Sequence, residues 1–190
     1  MAKDAHGDED PAASMLKILL DQAEDLDLTD PTIPKEEQKN PGDLMVPGLE
    51  MSKLLAVIEF GLLHSADEEG ILEGLDMISR EQVMKQVNGT FQLNIKPSPG
   101  SGCKDEVYHF YVDLRKTGEI RPGPAPKRPK PDVVMTVSDK DMVALSMGKL
   151  NPQMAFLKGK IKVKGNIMLG LRLQTVLLTE MNKLQRTAKL

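Results

Sequence analysis

The residues able to do covalent chemistry are few, and their spacing does not suit it. The three histidines, His6, His64 and His109, share no metal-ligand spacing with one another or with the single cysteine, Cys103. Cys103 falls in a loop of Gly, Pro and Ser (97–104) with no histidine beside it to favour a thiolate, so it reads as an ordinary thiol. His109 falls on the polar side of a predicted strand, where a solvated imidazole is the expectation. There is no nucleophile elbow, no Gly-rich phosphate loop and no dinucleotide fingerprint. The chain is therefore expected not to be an enzyme, and no cofactor or metal is expected. One cysteine also excludes an intrachain disulfide, and the sequon Asn88-Gly89-Thr90 reads as incidental.

What remains is binding chemistry. Lys158, Lys160, Lys162 and Lys164 line one edge, and Arg121, Lys127, Arg128 and Lys130 another. A nucleic-acid site would set aromatic platforms beside such cations. None stands there, so no nucleic acid is expected. An anionic membrane surface or an acyl head group fits better, against the plainer reading of a solvated sheet face. Methionine is in excess at 12 residues, and Met77, Met84, Met135, Met142, Met147, Met154, Met168 and Met181 fall beyond the first third of the chain. Met fills irregular gaps and lines adaptable binding surfaces. More apolar surface is carried on helices than a small sheet needs, and a hydrophobic cavity between sheet and helices would explain it.

The elements that would hold such a cavity can be read from periodicity and caps. Residues 1–50 are acidic and hold Pro31, Pro34, Pro41 and Pro47, and are expected to be disordered apart from a short helix at 13–26. Residues 51–75 are a helical extension through Leu54, Leu55, Val57, Ile58, Leu62 and Leu63. It either docks on the C-terminal domain or meets another protein. Residues 1–80 carry 6 Lys and Arg against 19 Asp and Glu, and the remainder 19 against 9, which sets an acidic segment beside a basic domain.

From 76 to 190 the signals are dense. Ser79 with Gln82 predicts a capping box, and Asn88-Gly89 a stop. Phe91, Leu93 and Ile95 alternate with Gln92, Asn94 and Lys96. Tyr108, Phe110, Val112 and Leu114 share one face of a second strand, and Glu119–Arg121 starts a short third. Five prolines between Pro122 and Pro131 forbid interior sheet there. Val133–Val137 is apolar on both faces and so reads as central. Ser138 and Asp141 start one helix. Asn151-Pro152 starts another, which ends at Gly159, and Lys160–Lys164 alternates as a half-buried strand. Gly165-Asn166 then turns into a last helix, 167–184, so apolar that it is expected to be covered on two sides.

Three runs carry a resemblance: Val87-Asn-Gly-Thr-Phe-Gln-Leu93, Tyr111-Val-Asp-Leu114, and Met147-Gly-Lys-Leu-Asn-Pro-Gln-Met-Ala-Phe156, with the strand Gly159–Asn166 and the closing tripeptide beside them. From about Ser79 to Leu190 the chain resembles the sterol carrier protein type 2 family of lipid-transfer domains. The resemblance implies an α+β fold, with a five-stranded, mainly antiparallel sheet and helices on one face around a hydrophobic tunnel. It also implies binding of sterols, fatty acids and acyl-CoAs without catalysis. The loop 122–131 is longer and more basic than the family leads one to expect.

The expected ligand site is an apolar one. A long-chain acyl group would lie between Phe91, Leu93, Phe110, Val112 and Val134 of the sheet and Met142, Leu145, Met154, Phe156, Leu157, Ile167, Met168, Leu171 and Met181 of the helices. Lys85 and Gln86 are candidate head-group contacts. Ala188-Lys189-Leu190 is a conservative form of the Ser-Lys-Leu peroxisomal address, so an import receptor is an expected partner and the peroxisome, with the cytoplasm, the expected location. The rival expectation is an interaction module with a filled core, whose acidic N-terminal segment recruits a partner.

Overall fold

The computed structural model describes residues 39–65 and 77–187, with the isolated positions 18, 21, 22, 25, 28 and 34. The acidic segment for the most part, residues 66–76, the Met181 side chain and Ala188-Lys189-Leu190 lie outside the described residues.

Five strands make one sheet in the order β3-β2-β1-β4-β5. They are β1 (Thr90–Lys96), β2 (Tyr108–Asp113), β3 (Glu119–Pro122), β4 (Val133–Ser138) and β5 (Ile161–Gly165). All pairs are antiparallel except β1 with β4. The first three strands form a meander. The chain then returns over the polar face of the sheet, where the Ala125 N–H donates to the Gln92 side chain, and enters β4 on the other side of β1. This crossing buries Gln92, which alternation alone had placed toward solvent. Lys127, Arg128 and Lys130 stay exposed on the crossing loop, as its composition predicts.

Register sorts the two faces. Phe91 stands opposite Val112 and Val133, Leu93 opposite Phe110 and Met135, and Ile95 opposite Val137. These side chains form the inner face, with Val163 and Ile161 continuing it onto β5. Val134 pairs with Gln92 and Lys164 and therefore lies on the outer face. Its expected place in the ligand site is corrected accordingly. Because β4 is apolar on both sides, its own sequence could not say which set faced inward.

Helices cover the inner face. They are α1 (Glu50–Leu63), α2 (Arg80–Val87), α3 (Asp139–Ser146), α4 (Pro152–Leu157) and α5 (Ile167–Thr187). The caps read from sequence are present. Ser79 and Gln82 close a capping box on α2, and Asn88 ends that helix in the left-handed region. The Ser138 and Asn151 side chains accept N–H groups of α3 and α4. At the end of β5, Gly165 has φ +97°, and a Cβ there would sit 2.0 Å from the Asp132 carbonyl oxygen, so only glycine fits. Asn166 then accepts the Met168 N–H at 3.1 Å and starts α5.

The described part of the extension (51–65) is docked, and residues 39–50, expected to be disordered, are ordered with it, because Leu44 and Leu49 are buried. A 3-10 turn, Pro41–Leu44, leads into α1, which packs on α3 and β3. Leu44, Leu49, Met51, Leu54 and Leu55 join one buried cluster with Phe91, Phe110 and Val133. Each such side chain contributes about 1.5–3 kcal/mol when taken from water, so α1 is held by burial and not by intrinsic propensity. Polar contacts fix its register. The Ser52 hydroxyl donates to the Leu49 carbonyl at 2.6 Å, and Glu59 accepts the Ile120 N–H at 2.9 Å on the outer edge of β3. Lys39 pairs with Glu119 on the same edge. The sheet's edge is thereby closed to further pairing.

Candidate functional site

The inner face of the sheet is packed into the core, and the last two helices carry large apolar side chains that stay exposed. Phe91, Leu93, Phe110 and Val112 are all buried. Met142 and Leu145 of α3 are half-buried against the same cluster. Alternation on β1 and β2 and the 3.6-residue period on α3 put these side chains where the sequence reading expected them.

On α4 only Ala155 is buried. Met154 and Phe156 are 46% and 49% exposed and Leu157 is 77% exposed. On α5, Leu169 and Val176 turn to the core, while Ile167, Met168 and Leu171 turn away, Met168 being 62% exposed. The expectation that α5 is covered on two sides is thus not met among the described residues. Leu169 and Val176 lie seven residues apart, on one stripe, and that stripe alone meets the core. α4 packs on β5, and α5 on α2 and β4, leaving apolar sides of both helices open. Met154, Phe156 and Leu157 on α4 and Ile167, Met168, Leu171 and Leu178 on α5 are thus large apolar side chains grouped on two successive helices, more than the scattered exposure of ordinary surfaces.

Between α2 and α5 lies a cleft of about 440 Å³, lined by Gln86, Met168, Leu171, Arg172, Thr175 and Val176. The five α5 residues recur at intervals of three and four and so share one helix face. Gln86 reaches it from the last turn of α2. Lys85 is exposed and does not line it. Arg172 and Thr175 were missed by the sequence reading, which saw α5 as almost without a polar stripe. The signal was their spacing from Met168. Chemically, the cleft offers an apolar wall with one cation and one amide at its rim.

No cluster among the described residues offers more reactive chemistry. None has three or more His, Cys, Asp or Glu placed to hold a metal ion, and no described helix is long and apolar enough to cross a membrane. The His109 ring nitrogen Nδ1 lies 2.7 Å from Asn94 Oδ1 on the outer face, and Cys103 is half-buried with Sγ 3.5 Å from the Pro47 carbonyl. Also on the outer side, burial works against ionisation of Asp132. Hydrogen bonds from Thr90 and the Arg115 guanidinium at 3.0 Å outweigh it and hold the carboxyl below its usual range. That cluster ties the start of β1 to the start of β4.

A family model for the SCP-2 sterol transfer family matches residues 71–178. The chain belongs to that family. Rabbit (Oryctolagus cuniculus) sterol carrier protein 2 is 36% identical over 97 residues, covering 50% of this chain and 16% of that one. The mouse (Mus musculus) peroxisomal multifunctional enzyme type 2 is 37% identical over 121 residues, covering 63% of this chain and 15% of the enzyme. The chain thus spans about a sixth of the length of these relatives. Among solved structures, the apo sterol carrier protein 2 of Yarrowia lipolytica superposes with a TM-score of 0.58 at 27% identity, covering 74% of this chain and 98% of that one. Family membership accords with the mixed five-stranded sheet and with helices laid on one face of it.

Proposed function

We propose that this chain binds a long-chain lipid (a fatty acid, an acyl-CoA or a sterol) and carries it between membranes without catalysing a reaction. The observation that carries the reading is the set of large apolar side chains left exposed on α4 and α5, with the apolar cleft between α2 and α5. A ligand chain laid there removes apolar area from water on both partners, at about 0.8 kcal/mol per methylene before ordering costs. Phe91, Leu93, Phe110 and Val112 form the floor. Met142 and Leu145 flank it, and Met154, Phe156, Leu157, Ile167, Met168 and Leu171 form the walls. Gln86, which lines the cleft between α2 and α5, stands toward the head group, and Lys85, outside that lining, does not.

Delivery needs contact with a bilayer. Lys158, Lys162 and Lys164 are exposed around the tip of α4 and along the edge strand β5. Phe156 is exposed two residues from Lys158, one aromatic where the composition suggested none, and cations beside it and Leu157 suit an anionic membrane surface. The terminal Ala188-Lys189-Leu190 supports a peroxisomal destination through an import receptor, alongside a cytoplasmic pool.

The test is titration of the full chain with a fluorescent long-chain fatty acid. Saturable binding at one site, competed by unlabelled lipid, is the expected result. No saturable binding, with no lipid retained in native mass spectrometry, would overturn the reading and leave the interaction module in its place.

A further inference from the structure

Of the groups lining the cleft between α2 and α5, only two retain free hydrogen-bond donors. The Thr175 hydroxyl donates to the Leu171 carbonyl at 2.9 Å. Met168, Leu171 and Val176 have no polar hydrogen. That leaves the Gln86 amide and the Arg172 guanidinium, neither of which has a partner among the described residues. The charges nearby do not compensate Arg172. The first turn of α5 holds no acidic residue. Glu180, further along α5, is engaged by the Ile78 N–H at 2.8 Å and by Lys183 at 3.1 Å. On α2 the acidic residue is Glu81, in the first turn, whereas Gln86 sits in the last.

An uncompensated guanidinium on an otherwise apolar helix face has a specific use. Its aliphatic stem can lie along Met168 and Leu171 while its planar fork stays at the rim. That fork matches a carboxylate with two parallel N–H bonds. We infer that Arg172 selects the ligand's head group, favouring a long-chain carboxylate over a neutral lipid of the same length. The Gln86 amide supplies a second donor to the same oxygens. The inference rests on the lipid-binding reading above and adds to it the class of head group and the residue that chooses it.

The experiment compares two probes on the full chain, a pyrene-labelled long-chain fatty acid and the matching fatty alcohol. Wild type should bind the acid more tightly, and the preference should shrink as salt is raised, because a rim charge is screened. Arg172→Gln should weaken acid binding by about fivefold to tenfold, the range of a partly exposed charge-assisted bond, while leaving the alcohol unchanged. Arg172→Lys, which keeps the charge but loses the fork, should restore only part of the preference. Arg172 is exposed, so both variants should keep the wild-type fold. Equal loss for both probes, or a preference that survives Arg172→Gln, overturns the inference and leaves the lipid-binding reading standing. Failure of wild type to bind either probe overturns both.

Discussion

The carboxylate of Asp139, at the start of α3, accepts the backbone N–H of Met51 at 2.7 Å. It takes the Glu50 N–H as well, at 3.0 Å. α1 has no side-chain cap of its own, because Leu49 stands at its N-cap position. Its missing cap is therefore supplied from 88 residues away. One carboxylate, itself only 3% exposed, joins the extension to the helix after β4.

Asp139→Ala should destabilise the chain by about 1–3 kcal/mol, since it leaves the buried Met51 N–H and the part-buried Glu50 N–H without an acceptor. Urea denaturation followed by circular dichroism measures this. A change under about 0.5 kcal/mol, the range of ordinary surface substitutions, would show that α1 is not held there.

Glu59 predicts a pH dependence with a definite sign. Burial pushes its carboxyl above the usual range, and the Ile120 N–H, the Arg80 charge and Lys39 pull it back without cancelling the rise, while Glu119 adds to it. The native chain therefore holds this proton to higher pH than the unfolded chain. Its contribution is complete below the ordinary carboxylate value and is lost as pH rises through the raised one. Asp139 behaves likewise, burial again leading. Asp132, held low, has the opposite sign: its contribution is complete above the ordinary value and is lost as pH falls through the lowered one. Glu59→Gln keeps an acceptor for Ile120 and removes the titration. Relative to wild type it should gain stability as pH is raised toward neutral. Denaturant midpoints measured along that pH interval check it, and a pH-independent difference would contradict it.

Floor and walls should respond differently to substitution. Leu93→Ala opens a cavity under the sheet and should cost about 2–5 kcal/mol of stability. Leu171→Asp changes a side chain that is 41% exposed and should alter stability by no more than about 0.5 kcal/mol. It should nevertheless weaken binding of a fluorescent lipid roughly tenfold or more, as an apolar contact is replaced by a charge. Full binding by Leu171→Asp would remove α5 from the site.

On the proposed peroxisomal destination, deleting Leu190 should abolish import of a fluorescently tagged chain, because an address of this type is read through its last residue and free carboxylate. Import unchanged by the deletion would remove the address, and lipid binding in vitro should be the same with or without Leu190.

Local chemistry fixed much of this protein in advance. Ser79, Ser138, Asn151 and Asn166 cap helices because each side chain reaches an N–H two or three residues on. The strands followed from alternation at Phe91–Ile95 and Tyr108–Val112. These signals are short-range, so sequence alone determined the elements from Ser79 onward and which side chains of β1 and β2 face inward, but not the turn Pro41–Leu44.

Tertiary structure decided what depends on distant partners. The inward set on β4 was settled by its register with β1, because a strand apolar on both sides has no preference of its own. The place of α1 was settled by Asp139 and by the apolar surface left beside β3, neither of which lies near it in sequence. The outward turn of Ile167, Met168 and Leu171, and with it the cleft that brings Arg172 to Gln86, depended on how α5 rolls against α2 and β4. A helix apolar on nearly every side carries no internal record of that rotation, so only packing could set it.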